Sequence, residues 1–103
     1  MTRDHTQLGA TLDHARDLLT GDRAESYGDP NDTCAYAAKI ASGMLRHDVT
    51  ADDVFAVMLA MKLAREGGQH GIDNLVDACA YADAWNRYRE IAAATTHRKE
   101  VTP

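Results

Sequence analysis

Apolar side chains recur every three or four residues along most of the chain, and no stretch alternates apolar and polar residues as a half-buried strand does. Leu8, Leu12, Ala15 and Leu19 form the first apolar stripe, and Gly21 follows it as a stop signal. Alanine, which has the highest helix propensity, is frequent, and only two prolines occur. The pattern therefore predicts an all-α protein.

The pattern divides into four helices, predicted at about residues 6–20, 32–47, 51–66 and 72–94. Short connections after the second and third helices favour a four-helix bundle, in a single domain that covers residues 1–94. Residues 95–103 are polar and are expected to form a flexible C-terminal tail.

Cap and turn residues set these boundaries. Residues 22–31 contain glycine, aspartate and proline, and they are predicted to form a loop that is long for so small a bundle. Thr50, with Asp53 three places on, has the pattern of a capping box at the start of the third helix. The pair Gly67-Gly68 is predicted to end that helix.

The third helix is apolar nearly all round over residues 54–64, which predicts that it forms the buried centre of the fold. Four helices of this length are too few to enclose it together with Tyr81, Trp85 and Tyr88. We therefore expect a homodimer or a higher homo-oligomer, in which a second copy completes the bundle.

Composition narrows the class of protein. The chain has 103 residues, 45% of them hydrophobic and 26% charged, as in ordinary globular proteins. Its net charge of −5 argues against a nucleic-acid partner, which would need a basic face. The longest apolar run, residues 54–61, is too short to span a membrane, so no membrane partner is expected.

The N-terminus lacks the apolar core of a signal peptide, which favours a cytoplasmic protein. Reduced thiols at Cys34 and Cys79 are then favoured over a disulfide, although the sequence leaves both open. The five histidines never fall four residues apart, so they have no zinc-site pattern.

Four charged residues are the main candidates for a site. Lys62 and Arg65 lie near the end of the third helix, about 60° apart around its axis, and together they suggest a cationic clamp for phosphate oxygens. Asp73 and Asp77 share a face of the fourth helix and are candidate ligands for Mg²⁺. Structural roles explain the same residues: the helix dipole favours both cations, Asp73 suits an N-cap, and Asp77 suits an ion pair with Lys62 or Arg65.

The predicted loop adds two further candidates. Arg23 and Tyr27 precede its turn, which by itself explains the nearby glycine, aspartate and proline but not these two side chains. Both are candidates to contact the phosphates and base of a nucleotide.

Several segments together resemble a known family. They are R-x3-YG-x-P at residues 23–30, Ile40-Ala41, Asp53-Val54, K-L-A-R-E at residues 62–66, D-N-L-V-D at residues 73–77 and Tyr81-Ala82. In this combination the chain resembles a family of small all-α proteins, encoded mostly by bacteriophages and prophages, without an established function and loosely grouped as MazG-like. The resemblance covers residues 12–90 and implies the host cytoplasm as the location.

The wider MazG superfamily comprises helical, usually oligomeric enzymes that use Mg²⁺ to hydrolyse nucleoside triphosphates to monophosphate and pyrophosphate. Its E-x-x-D motif is similar to Asn74-Leu75-Val76-Asp77, so the resemblance implies that Asp77 is a catalytic metal ligand. Its E-E-x-x-E motif is absent, and the third helix offers Lys62 and Arg65 instead.

Three functions remain open from the sequence. The first is a Mg²⁺-dependent pyrophosphohydrolase, in which Asp73 and Asp77 hold the metal while Lys62, Arg65 and Arg23 hold phosphates. The second is a non-catalytic protein that binds a nucleotide or another phosphorylated small molecule, with Asp77 as counter-ion. The third is a structural or interaction bundle in which the charges fix the helix register.

Overall fold

The structure, a computed structural model, describes residues 8–21 and 28–101, with side chains as far as residue 95. Its four helices are α1 Ala10–Thr20, α2 Pro30–Leu45, α3 Ala51–Gly68 and α4 Ile72–Val101. Within these ranges no strand occurs, so the predicted all-α class with four helices is confirmed there. No helix among the described residues has the length and apolar character needed to cross a membrane.

The first two helices do not begin at the residues that the sequence pattern predicts. α1 starts at Ala10, after Gly9 in the left-handed conformation (φ 83°), rather than near residue 6. α2 starts at Pro30, and the Asp29 side chain caps it by accepting a hydrogen bond of 3.0 Å from the backbone N–H of Asn31. The predicted loop is therefore too long at its C-terminal end, because proline suits the first turn of a helix, where no N–H is needed.

α2 ends at Leu45, two residues before its predicted end. Arg46 follows it with a φ of 60°, the left-handed conformation that turns the chain away from the helix.

The start of α3 confirms the predicted capping box. Asp53 donates its backbone N–H to Thr50 Oγ1 (3.1 Å), and Thr50 donates its own to Asp53 Oδ2 (2.9 Å). The predicted end is wrong, since α3 includes Gly67 and Gly68 and stops at Gln69. Each glycine costs a helix only about 1 kcal/mol relative to alanine, so the pair does not force a break.

The last helix, α4, continues to Val101 instead of ending near residue 94. Residues 95–101, predicted to be a flexible tail, form its last turns. They contain neither glycine nor proline, so nothing in their sequence terminates a helix.

α4 is the central helix, because it packs against each of the other three, and α2 also packs on α3. One core cluster joins α1 to α4 through Ala15, Val76 and Ala80. A second joins α2, α3 and α4 through Cys34, Phe55 and Ala84, with four partly buried neighbours: Val54, Tyr81, Trp85 and Tyr88. The prediction that α3 forms the buried centre is therefore wrong.

Aromatic rings make up a large part of this second cluster. Phe55 is fully buried, and its ring stacks on Trp85 with centroids 6.3 Å apart and meets Tyr88 at 5.8 Å. The Trp85 indole N–H donates a 2.6 Å hydrogen bond to Asp52 Oδ1. This bond links the first turn of α3 to α4 and satisfies the polar edge of the indole.

Large apolar side chains outside the clusters remain exposed. On α3 these are Val57, Met61 and Leu63, each at least 44% exposed. The helix is apolar nearly all round, but α2 and α4 cover only part of its surface. The expected oligomer, which would cover more, stays a prediction.

Candidate functional site

A cavity of about 870 Å³ lies between α1 and α4, next to the start of α2. α1 lines it with mostly apolar side chains, including Leu12 and Leu19, whereas α4 contributes small residues and Tyr81. Its volume is within the range of small-molecule sites, roughly 300–1,000 Å³. The described lining also includes six charged residues: Arg16, Asp29, Lys62, Asp77, Asp83 and Arg87.

Lys62 is a partly buried cation in this lining. Its Nζ lies 3.0 Å from Asp77 Oδ2, and the two side chains are only 17% and 27% exposed. Of the two partners considered for Asp77 from the sequence, Lys62 is the one that it contacts. The ammonium group has three N–H donors and Asp77 Oδ2 takes one, so donors remain for a further oxygen atom on the cavity side.

Tyr81, one turn after Asp77 on α4, lines the same cavity. Burial raises the pKa of its hydroxyl, and the positive charge of Lys62 partly opposes this rise, so the hydroxyl stays protonated at neutral pH. Burial also raises the pKa of Cys34, and both Cys34 and Cys79 are free thiols. The Tyr81 hydroxyl and the Cys34 thiol are therefore neutral at neutral pH, and the charges next to Tyr81 are those of Lys62 and Asp77.

Arg87 reaches the cavity mouth from α4 and forms an ion pair with Asp29, the N-cap of α2. The side-chain amide nitrogen of Asn31 donates a hydrogen bond to the carbonyl oxygen of Ala84 (2.9 Å). Its side-chain oxygen accepts hydrogen bonds from Arg87 Nε and Nη2, each at 3.2 Å. These bonds tie the first turn of α2 to α4. The spacing of residues along the chain does not predict this cluster, because Asp29 and Arg87 are far apart in sequence.

Arg16 lines the cavity from α1, and its side chain is exposed. Sequence reasoning missed Arg16 because it lies on the polar side of an ordinary amphipathic pattern. Only the packing of α1 on α4 shows that Arg16 lines the cavity.

The other predicted site residues are not gathered at the cavity. Arg65 and Asp73 are both exposed, and neither lines it. Lys62 and Arg65 thus do not form a joint clamp, because only the Lys62 side of α3 faces α4. Arg23 and Tyr27 lie outside the described residues, so their proposed contacts stay predictions.

Glu66 belongs to the K-L-A-R-E segment, one of those that carry the MazG-like resemblance, and it bonds residues of the connection between α3 and α4. One carboxylate oxygen accepts from the backbone N–H of Gly71 (3.2 Å) and from Asn74 Nδ2 (3.4 Å), and the other bonds His70. These bonds, with the His70 bond as the largest cause, lower the pKa of Glu66. Glu66 and Asn74 therefore fasten the connection between α3 and α4.

The described residues do not fit the Mg²⁺ site that the MazG resemblance implies. No three His, Cys, Asp or Glu side chains among them converge as a metal site would require. Asp77 faces the Lys62 ammonium, whose charge opposes a nearby cation, and Asp73 is exposed. A magnesium ion needs an octahedral set of oxygen ligands, and this arrangement supplies one carboxylate already paired.

Comparison with known proteins supports part of the resemblance. The chain is similar to the Gene 55 protein of Mycobacterium phage D29, with 32% identity over 80 residues, which are 77% of this chain and 53% of that protein. The chain thus spans about half the length of this relative. No solved structure matches the chain. The phage relationship is supported, whereas the link to MazG enzymes stays a prediction.

A family model with the description "Domain of unknown function (DUF6378)" matches residues 10–89. This range runs from the first residue of α1 through the cavity-lining part of α4. The match covers more than half of the chain, which therefore belongs to the DUF6378 family.

Proposed function

We propose that this protein binds a phosphorylated small molecule of nucleotide size in the cavity between α1 and α4. Lys62 is the phosphate-binding residue, and Asp77 is the counter-ion that holds it in place when the cavity has no ligand. The observation that carries the proposal is the Lys62 ammonium at the cavity wall, only 17% exposed and paired with a single carboxylate. A poorly solvated cation with spare donors interacts strongly with an incoming oxyanion.

Two arginines extend the site. Arg16 and Arg87 line the cavity from α1 and α4, and their guanidinium groups suit bidentate contacts with phosphate oxygens. Arg87 is paired with Asp29 and Lys62 with Asp77, so a ligand competes with internal carboxylates. This competition favours an affinity that is moderate rather than extreme.

The apolar part of the cavity suits the other end of a nucleotide. Leu12, Leu19 and Tyr81 offer aliphatic and aromatic surface on which a base can pack. Site volume, cations and apolar wall together favour a nucleotide over a bare inorganic anion.

We favour non-catalytic binding over hydrolysis of the nucleotide. A Mg²⁺-dependent pyrophosphohydrolase needs carboxylates around a metal, and the described residues offer Asp77 in an ion pair instead. If the protein is an enzyme, Asp77→Asn abolishes turnover. If it is a binder, the same change leaves the phosphate interaction intact or strengthens it, because it frees Lys62.

The decisive experiment incubates near-stoichiometric protein with mixed nucleoside triphosphates and Mg²⁺. Every species is quantified chromatographically, before and after the protein is denatured. We expect one nucleotide to leave the free pool and to return intact on denaturation. Monophosphate and pyrophosphate would instead establish hydrolysis, and an unchanged free pool would leave a structural bundle as the function.

A matched pair of lysine variants tests the site itself. Lys62→Met removes the lysine that lines the cavity, whereas Lys39→Met removes an exposed lysine of α2 that does not line it. A charge-assisted contact contributes about 1.5–3 kcal/mol, so we expect Lys62→Met to weaken nucleotide binding roughly ten- to hundredfold and Lys39→Met to leave it unchanged. Equal affinities in titration calorimetry would refute the assignment of Lys62.

A further inference from the structure

The two faces of α2 have their apolar residues in an unusual arrangement. The side chains that it buries against α3 and α4 are small, namely Cys34 (3% exposed) and Ala38 (5%). The large ones point the other way: Tyr36 is 69% exposed, Ile40 52% and Met44 78%. A helix whose outer face meets water normally carries polar residues there.

The exposed residues form one continuous stripe, since Tyr36, Ile40 and Met44 are spaced four apart. Three large side chains at these exposures leave an apolar patch on the order of 400 Å², as large as the largest patch on a typical monomer. A standard interface buries about 800 Å² on each partner, so this stripe supplies about half of one. Neighbouring Leu45, itself 59% exposed, adds to it.

We infer that a second copy of this chain covers the stripe, with the two α2 helices antiparallel across a twofold axis at Ile40. Tyr36 and Met44 lie at equal distances on either side of Ile40, so the stripe is complementary to itself under this rotation. Tyr36 of one protomer then packs on the partner's Met44. Gly43 beside Met44 is open, because a Cβ there would meet nothing within 4 Å, and this leaves room for the larger ring.

Charge at the helix ends favours the same orientation. Asp32 lies in the first turn of α2, and Arg46 directly follows its last residue. Antiparallel packing brings Asp32 of one protomer near the partner's Arg46, and it opposes the two helix dipoles favourably. A parallel pair would place like charges and like dipole ends together.

Two isoleucines of equal exposure provide a matched test. Ile40→Glu puts a charge at the proposed axis, and Ile91→Glu puts one on α4, where the native side chain is 53% exposed. Sedimentation equilibrium of the full chain without nucleotide is expected to show dimers for wild type and Ile91→Glu. For Ile40→Glu we expect a dimer dissociation constant at least a hundredfold higher than that of wild type, with an unchanged helical circular dichroism spectrum.

A crosslinking measurement covers the case in which Ile40→Glu fails to fold. Residue 40 meets its own copy at the axis, so mild oxidation of Ile40→Cys is expected to give a disulfide-linked dimer faster than that of Ile91→Cys or wild type. A wild-type monomer at about 100 μM, far above typical dimer dissociation constants, would overturn the inference. So would dimers that Ile40→Glu leaves intact, or equal crosslinking of the two cysteine variants.

Discussion

Removing the Asp77 carboxylate leaves the Lys62 ammonium without its partner in a position where water reaches it poorly. Breaking a fully buried ion pair costs about 3–5 kcal/mol, and an exposed pair contributes at most about 1. The partial burial of this pair places Asp77→Ala between these limits, with an expected loss of about 1–3 kcal/mol. Urea denaturation measures it, with Asp83→Ala, an exposed position on the same helix, as the control. Equal losses in both variants would show that the pair does not stabilise the fold.

The sequence predicted an ion pair of Asp77 with Lys62 or Arg65 but could not decide between the two cations. Residues three or four apart share a helix face only to within tens of degrees, and small differences in packing decide which of them meets a neighbour. The positions of Arg16 and Arg87 in the cavity lining could not be predicted from the sequence, because they depend on contacts between distant segments. Local spacing predicts which residues share a helix face, not which face another helix covers.

At the level of elements, the capping box at Thr50 predicts an acid-sensitive contribution to stability. The backbone N–H of Thr50, then its hydroxyl group, lower the pKa of Asp53 in the folded chain. The carboxylate therefore stabilises the fold at neutral pH, and this contribution disappears as the pH falls through its lowered pKa. We expect the difference in free energy of unfolding between wild type and Asp53→Ala to shrink from pH 7 to pH 3. A difference that is as large at pH 3 as at pH 7 would contradict this account.

The start of α3 was easier to predict than its end. Thr50 and Asp53 specify a start through two reciprocal hydrogen bonds, which the sequence shows directly. Gly67-Gly68 looked like a stop, yet a glycine pair only weakens a helix, and α3 continues through it. The end is instead marked by contacts of Glu66 beyond the helix, including the one to Asn74. Such a contact is visible in the sequence only once the turn is known.

For the whole molecule, apolar periodicity was sufficient for the all-α class but not for the arrangement of the helices. α3 contains the longest apolar run, residues 54–61, yet α4 occupies the centre because it touches all three other helices. Among the described residues, six of the nine buried hydrophobic residues are alanines, and Phe55 alone among the large side chains is fully buried. A core of this kind removes little apolar surface from water, so the isolated chain is expected to be only marginally stable.

Because this core is small, we expect the stability of the molecule to depend on the proposed second copy. If two chains share the Tyr36, Ile40 and Met44 stripe, unfolding is coupled to dissociation, and mass action raises the melting temperature with protein concentration. For a domain of this size, going from about 5 to about 100 μM should raise it by roughly 3–6 °C. Scanning calorimetry of wild type and Ile91→Glu is expected to show this rise, whereas Ile40→Glu should melt at one lower, concentration-independent temperature. A wild-type melting temperature that does not move over this range would mean that the chain is stable alone and that its alanine-rich core suffices.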